Sequence, residues 1–553
     1  MIEQEKGLQT CGTCGLSSFS PELHGYANGP DRMVLIGPPG TGKTRTAIDR
    51  FIIPALESGG NILCCSFSRA AAGEMRTRVA KILNVGEHSL REQFTTIHSE
   101  ALRRISKAGT WQLYDGHTRT AKPLGKVKAP PEPDFPTAKS EQRGAIIACW
   151  DYARATMIND DEDAMELCAS QFASRNPQLQ MEYRDILYGI SVYEAEKQRG
   201  GNYIDFTDML TMAAKLDSET PIDLLLLDEM QDSSVLQWHT FGRWSEMARK
   251  VVIIGDPDQM IFEYAGASAE TLKTYFESWD TVQLTKSWRV PAASHAIARS
   301  LILRNQDRID APYEHNGNQG AFIKSSSLEQ VVALADKCAK TGMTMMILAR
   351  WGVGLEEYRK EFKRRGVPFK NEKGGSPWGK RQQCHVLAAH KRLMDGSDVS
   401  NYSLRILCNS LKAKSGVFKG TKVSVMDALS SDAVDINPWD FIHRDKLDAA
   451  VAELGLDTSI ALIAQTYGVE AIENDSTPVV LTTFHSSKGR EADIVVVCMD
   501  APWPVTLAMD KWFNEGRGWE AVESERRCLY VALTRGREAT ALHWNFNGEL
   551  RRL

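Results

Sequence analysis

The chain has 553 residues and a mass of 61.6 kDa, with 42% hydrophobic and 25% charged residues, a net charge of −5 and a pI of 6.2. Single cores stop growing near ~250 to 300 residues, so at least two large domains are expected. No apolar run approaches the ~20 residues of a membrane span, and the mild acidity gives none of the global basic excess usual in nucleic-acid binders.

The polar, acidic start lacks the basic and apolar regions of a secretory leader. Eleven cysteines are too dispersed for a disulfide framework. Cys11 and Cys14 form a C-x-x-C with His24 nearby, but no second pair follows at zinc-site spacing. They read as ordinary thiols, and a soluble, cytoplasmic protein with no membrane partner is expected.

In chain order, MVLI (Met33 to Ile36) predicts a buried strand that runs into GPPGTGKT and then a helical TRTAIDRFI. This is the strand, glycine loop and helix order of a phosphate-binding loop. Gly37, Gly42, Lys43 and Thr44 satisfy G-x-x-x-x-G-K-[ST]. Backbone N–H groups of such a loop cradle phosphates, the lysine pairs with the β and γ phosphates, and the hydroxyl ligates Mg²⁺. The candidate nucleotide-binding residues are therefore Gly37, Pro38, Pro39, Gly40, Thr41, Gly42, Lys43, Thr44 and Arg45.

NILCCSF from Asn61 predicts a second strand, and AAAGEMRTRVAKIL an amphipathic helix. Residues 100–205 are helix-rich, with a Pro/Lys-rich interruption, and read as an insertion. DLLLLDE (223–229) and KVVIIGD (250–256) predict further buried strands, as do MTMMILAR (343–350), PVVLTTF (478–484) and ADIVVVCMD (492–500). Residues 390–475 read as a second helical insertion. Continuous apolar runs alternating with helices are what a parallel sheet covered on both faces requires, so the class is α/β.

The run LLLLDEMQD ends with Asp228 and Glu229 adjacent. With a P-loop present, the first suits Mg²⁺ coordination, alongside Thr44, and the second suits polarising an attacking water. Two stretches are locally basic. Residues 101–128 hold seven Lys or Arg against Asp115, and residues 359–392 hold eleven against Glu361 and Glu372, for net charges of +6 and +9.

D-E-x-Q-D at Asp228 to Asp232 resembles motif II of the UvrD/Rep family of superfamily 1 helicases. Other segments resemble that family's motifs in its order: SFSRAAAGEM (66–75), TTIHS (95–99), IDFTDML (204–210), VVIIGDPDQMIFEYAGA (251–267), LTKSWRVP (284–291), TTFHSSKGREADIVVV (482–497) and ERRCLYVALTRGRE (525–538). The resemblance spans about residues 33 to 540, with the insertions matched weakly.

The resemblance implies two RecA-like P-loop domains with parallel sheets, each carrying a mostly helical insertion. The first would comprise 1–99 and 206–280, with 100–205 inserted; the second would comprise 281–389 and 476–553, with the smaller 390–475 inserted. ATP and Mg²⁺ would lie in the cleft between them. Gln259 would sense the γ-phosphate, Arg289 and Arg535 would reach it from the second domain, Trp288 would stack on the base, and Glu491 would accept from the ribose. Motif register leaves Arg537 solvated. Phe67, Phe262 and Tyr264 would stack on bases, and His98, His485 and Ser486 would make polar contacts to DNA.

The implied activity is an ATP-dependent helicase or translocase moving 3′-to-5′ on single-stranded or tailed duplex DNA. Its protein partner would be a nuclease or a replication or repair factor, and the chain would be a monomer or weak oligomer. The alternatives are a single-strand-dependent ATPase that displaces proteins without unwinding, and a nucleotide-switched binding module. The pattern departs from the family in three places. No L-N-x-x-Q element precedes the P-loop, Ala265 replaces an arginine, and Arg69-Ala70 replaces Asn-Lys.

Overall fold

A computed structural model describes residues 31–115, 120–123, 140–216, 221–306, 308–371, 381–429, 437–473 and 477–553. Cys11, Cys14, His24, Arg119, Lys126 and Lys128 lie outside them. The chain divides into two units. The first comprises residues up to Trp288 together with Asn305–Glu314; the second comprises Arg289–Arg304 and His315–Leu553.

The first unit contains strands β1 (Arg32–Ile36), β2 (Ile62–Ser66), β3 (Phe94–Thr96), β4 (Gln112–Asp115), β5 (Thr120–Pro123), β6 (Tyr203–Ile204), β7 (Ile222–Asp228), β8 (Ala248–Gly255) and β9 (Asp280–Gln283). Its main sheet has the order β3-β2-β7-β8-β1-β9, and all of its pairings are parallel. Alternate residues of the apolar runs enter two separate cores. Val34, Leu225, Leu227, Val251 and Ile253 pack with Trp238, Phe241 and Trp244. Met33, Leu35, Leu224, Leu226, Val252 and Ile254 pack with Ile48, Phe51, Met75 and Val79. Burial on both faces is why these strands read as unbroken hydrophobic runs instead of alternating ones.

The strand order sets the functional edge. β1, β8 and β7 are neighbours, so their carboxyl ends stand side by side. In parallel α/β sheets that edge, beyond the strands' carboxyl ends, is where ligands bind.

The expected break at 280/281 falls inside β9, whose Val282 pairs with Leu35 of β1, and the first unit therefore continues to Trp288. The 99/100 boundary likewise falls inside the helix Ile97–Ala108, whose Ile97, Ala101 and Ile105 belong to the first unit's core. The insertion that follows is not wholly helical. Helices Ser140–Ala155, Glu162–Arg175 and Tyr183–Arg199 accompany a sheet of order β5-β4-β6.

Buried ion pairs fasten that insertion. Asp205 caps the helix Phe206–Ala213, and its carboxylate takes Arg154 at 2.8 Å, Lys197 at 2.9 Å and the Tyr193 hydroxyl at 2.9 Å. Among the described residues, no helix is long and apolar enough to cross a membrane.

The second unit contains β10 (Ala321–Ile323), β11 (Met345–Ala349), β12 (Lys370–Asn371), β13 (Val479–Thr483), β14 (Ala492–Cys498) and β15 (Gly536–His543). These form a parallel sheet of order β10-β15-β14-β11-β13-β12. The helix Arg381–Asp395 crosses the expected 389/390 boundary. Its Cys384, Leu387 and Ala388 join the sheet's core, and its Val386, Ala389 and Leu393 join a separate core with the helices of the second insertion.

The basic stretches are partly neutralised by carboxylates, most of them one helical turn away and one on a separate helix. Arg103 and Arg104 both bind Glu100 at 2.7 Å, Arg364 and Arg365 share Glu361, and Arg392 pairs with Glu470. Counting charge in a window missed Glu100 and Glu470 because both lie outside it.

Candidate functional site

The loop after β1 is shaped by its glycines. Gly40 and Gly42 adopt φ of 78° and 84°, in the left-handed region that favours glycine. A Cβ on Gly37 would lie 2.3 Å from Thr41 Oγ1. The Gly37 N–H donates to the Gly255 carbonyl at 3.1 Å, which ties the loop to the end of β8. The Thr41 hydroxyl donates to the Pro38 carbonyl at 2.9 Å, and the Lys43 ammonium to the Gly37 carbonyl at 2.6 Å. The helix that starts at Lys43 carries Thr44 and Arg45 in its first turn.

Three residues from later in the chain grip the loop's other carbonyls. The Ser287 hydroxyl and the Tyr313 hydroxyl both donate to Pro39 O, at 2.9 and 3.1 Å, and the Trp288 N–H donates to Gly40 O at 2.8 Å. The Trp288 ring is 56% exposed and sits 3.9 Å from where a Gly42 Cβ would stand. The Lys286 ammonium lies 5.1 Å from that ring's centroid. Trp288 is thus a half-open aromatic surface beside the P-loop, positioned by its own backbone. The neighbouring Glu314 holds Tyr313 at the loop, its N–H donating to Thr285 O and its carbonyl accepting the Ser287 N–H, both at 2.9 Å; upstream, Arg308 ties the same segment to Asp258 at 2.6 and 3.1 Å.

Asp228 ends β7 almost wholly buried. Burial and the adjacent Glu229 push its carboxyl up to about 7, against the opposing pull of Lys43. Asp256, at the end of β8, is raised to about 6 by burial, again against Lys43. A buried carboxyl raised in this way beside a phosphate loop is one that a nearby cation would ionise. Gln231 Nε2 donates to Glu229 Oε2 at 2.6 Å, and Gln259 Nε2 donates to Asp256 Oδ2 at 2.6 Å. The structure therefore gathers Lys43, Asp228, Glu229 and Gln259 along one edge.

From Gln259 the chain passes directly into an aromatic group. Phe262 lies 4.7 Å from Phe67 and 5.9 Å from Tyr264, ring centre to ring centre. Tyr264 is 66% exposed, whereas Phe262 is partly buried against the core. Phe67 and His98 line a cavity of about 280 Å³ together with Phe206 and Met209. His98 accepts a 3.4 Å contact from Gln237, and burial lowers its pKa to about 4, so the ring is neutral at physiological pH. Arg69, Thr96 and Ser99 also border a second cavity of about 670 Å³, whose wall includes Arg76 and Arg91.

In the second unit, Glu491 binds Arg289 at 2.5 Å and Arg537 at 3.2 Å. Burial would raise the Glu491 pKa, but the two guanidiniums hold it below the usual range. Arg537 is exposed, as expected, and it also pairs with Asp493 at 2.7 Å, because β15 runs alongside β14 and brings the two side chains together. Arg535 is 2% exposed and donates to Val531 O at 2.8 Å. The Ala492 N–H donates to the Arg535 carbonyl, which keeps Arg535 beside Arg490 and Glu491. His485 and Ser486 occupy the short turn after β13, with His485 Nε2 3.8 Å from Cys528 Sγ.

Sequence reasoning missed Gln231, Ser287, Tyr313 and Phe206 as participants. Gln231 and Phe206 lie inside the quoted DEMQD and IDFTDML segments, Ser287 inside LTKSWRVP, but Tyr313 stands in a stretch with no motif. Its place comes from the backbone pairing of Glu314 with Thr285 and Ser287, which no local pattern signals.

A phosphate loop with acidic groups at the neighbouring strand ends, on one of two parallel-sheet units, defines a P-loop nucleoside-triphosphatase. Residues 26–278 match the family model described as UvrD/REP helicase N-terminal domain. The chain is 26% identical over 560 aligned residues to ATP-dependent DNA helicase UvrD2 of Mycobacterium tuberculosis, covering 91% of this chain and 75% of that protein. It is 27% identical to DNA helicase II of Haemophilus influenzae over 317 residues, covering 52% of this chain and 41% of that protein. It is 21% identical to a probable DNA helicase II homolog of Rickettsia felis, covering 93% and 90%. Residues 26–278 are thus similar to the N-terminal domain of UvrD/REP helicases, and most of the chain is similar to UvrD-type DNA helicases, in keeping with its two parallel-sheet α/β units.

Proposed function

We propose that this chain is an ATP-dependent DNA helicase that moves 3′-to-5′ along single-stranded DNA and couples hydrolysis between its two RecA-like units to strand separation. The observation that carries this reading is the segment after β8. Within it, Gln259 bonds to a carboxylate of the phosphate edge, and Phe262 and Tyr264 form an aromatic group with Phe67. One short segment thus joins a nucleotide-facing amide to base-stacking rings, and stacking is worth ~1 to 3 kcal/mol per base without sequence preference.

The residues present fit a magnesium nucleotide. The left-handed glycines shape a loop whose backbone a phosphate can approach closely, and the buried Asp228 offers a carboxylate that a cation would ionise. Thr44 and Asp228 would hold Mg²⁺, which would supply neutralisation of the developing phosphate charge. Lys43 would pair with the phosphates, Trp288 would stack on the base, and Glu229 would take a proton from the attacking water. Arg289 and Arg535 would stabilise the transferring phosphoryl group, with Glu491 at the ribose. For DNA, His98 would act as a neutral polar contact, with His485 and Ser486 contributing from the second unit. The setting that goes with this activity is cytoplasmic, at the nucleoid, or in the host cytoplasm for a viral protein.

Strand displacement on 3′-tailed, 5′-tailed and blunt duplexes, run beside single-strand-stimulated ATP hydrolysis, tests the reading. Displacement confined to the 3′ tail is the expected result. Stimulated hydrolysis without displacement on any substrate would replace it with a translocase that strips proteins or serves a partner. Nucleotide-dependent DNA binding without turnover would replace it with a switch.

A further inference from the structure

One side chain joins the groups of the catalytic edge and has no assigned role. Gln231 is completely enclosed. Its Nε2 donates to Glu229 Oε2 at 2.6 Å, and its Oε1 accepts the Asp256 N–H at 3.0 Å. Both partners fix the orientation of the amide, since a carboxylate only accepts and a backbone N–H only donates. Asp256 extends the line, with Oδ2 taking Gln259 Nε2 at 2.6 Å and Oδ1 taking the Asp258 N–H at 3.1 Å. A continuous chain of hydrogen bonds therefore runs from Glu229 at the end of β7, through Gln231 and Asp256, to Gln259 beyond β8.

Two backbone features serve this connection. Glu229 adopts φ 57°, a left-handed conformation that costs a non-glycine residue on the order of 1 kcal/mol or more. Gly255 leaves the space the amide occupies, because a Cβ there would lie 2.2 Å from Gln231 Oε1. Both the strained turn and the glycine are local costs to the fold that bring the Gln231 amide against its two partners.

We propose that Gln231 is a positioning residue that holds the Glu229 carboxylate in one orientation and couples it, through Asp256, to Gln259. The inference rests on the ATP-hydrolysing reading above. A neutral amide suits the task because it donates to the carboxylate without giving up a proton. An ammonium or guanidinium in its place would make Glu229 a weaker base, and an alkyl group would let the carboxylate rotate. Coupling to Gln259 means that the orientation of the attacking water and the amide ahead of the aromatic segment change together.

The test uses the full chain, with steady-state ATP hydrolysis measured with and without oligo(dT). Gln231→Leu removes both bonds. Gln231→Glu keeps the shape and the acceptor for Asp256 but loses the donor to Glu229. Both are expected to lower kcat at least ~30-fold with KM for ATP within about threefold, and to reduce the ratio of DNA-stimulated to basal rate. Gln231→His, which keeps one donor and one acceptor, is expected to recover at least ~tenfold of the kcat lost in Gln231→Leu. A purely structural role would instead lower the melting temperature while leaving the stimulation ratio and KM/kcat pattern of the folded fraction intact. The inference is overturned if Gln231→Glu keeps kcat within threefold, or if kcat falls while the stimulation ratio stays at the wild-type value. Absence of hydrolysis in the wild type would instead overturn the helicase reading itself.

Discussion

Arg537 and Arg289 share one carboxylate: Arg537 Nη1 lies 3.2 Å from Glu491 Oε1, and Arg289 Nε lies 2.5 Å from Glu491 Oε2. The two arginines of the TRGR segment therefore have different work. Arg535 is buried against Val531, and Arg537 steadies the acid that binds Arg289. Arg535→Ala is expected to lower DNA-stimulated kcat by ~10³ or more, the scale of an arginine acting on transferred phosphate. Arg537→Ala is expected to act mainly on KM for ATP, with kcat within about tenfold. Equal effects of the two substitutions on kcat, in the same steady-state assay, would remove the distinction.

In the proposed mechanism Glu229 takes a proton from water, and general bases contribute ~10² to 10⁴ in rate. Glu229→Gln should abolish turnover to that extent while retaining ATP binding, measured by equilibrium titration with a fluorescent ATP analogue. A variant that hydrolyses within threefold of wild type would show that the base lies elsewhere.

Tyr264 and His98 should separate in their response to salt. Tyr264→Ala is expected to weaken oligo(dT) binding by ~1 to 3 kcal/mol, a factor of roughly 5 to 150. Because burial keeps His98 neutral, His98→Ala should weaken binding without changing the slope of log affinity against log salt, which counts phosphate charges neutralised. A slope reduced by about one would mean that His98 binds as a cation.

The same histidine links pH to stability. Its folded pKa of about 4 lies below the ordinary ~6.5, so the unfolded chain takes up its proton more readily. The contribution is complete above pH ~6.5 and is lost as pH falls through 6.5 towards 4, by at most ~3 kcal/mol. His98→Gln should therefore lose less stability than wild type between pH 7.5 and 5, as read from urea midpoints. Parallel losses in the two proteins would refute the assignment.

Asp205 lies between Arg154 and Lys197, with all three side chains buried. Removing one member of such a cluster leaves uncompensated buried charge, which typically costs ~3 to 5 kcal/mol. Asp205→Ala should be destabilised by that amount in denaturant unfolding, and limited proteolysis should cut first within the helical insertion. A change below 1 kcal/mol would mean that the cluster does not fasten it.

Sequence by itself determined the strands with continuous apolar runs, because a strand buried on both faces must be hydrophobic at every position whatever its neighbours. Met33–Ile36, Leu224–Leu227, Val251–Ile254 and Ile494–Val497 all appear as central strands for that reason. It also determined the phosphate loop, whose glycines answer to local backbone conformation, and the acidic pair that ends β7. The polar DTVQ and the mixed GREATALH gave no comparable signal, yet both are strands, β9 and β15, because each borrows its pairing from a buried neighbour. Only tertiary structure decided that Tyr313 holds the P-loop, that Arg537 is paired, that Glu100 cancels part of a basic stretch, and that Gln231 stands between Glu229 and Asp256. Each of these depends on what another element places beside the side chain, and the strand order β7-β8-β1, which sets those neighbours, is written in no single segment.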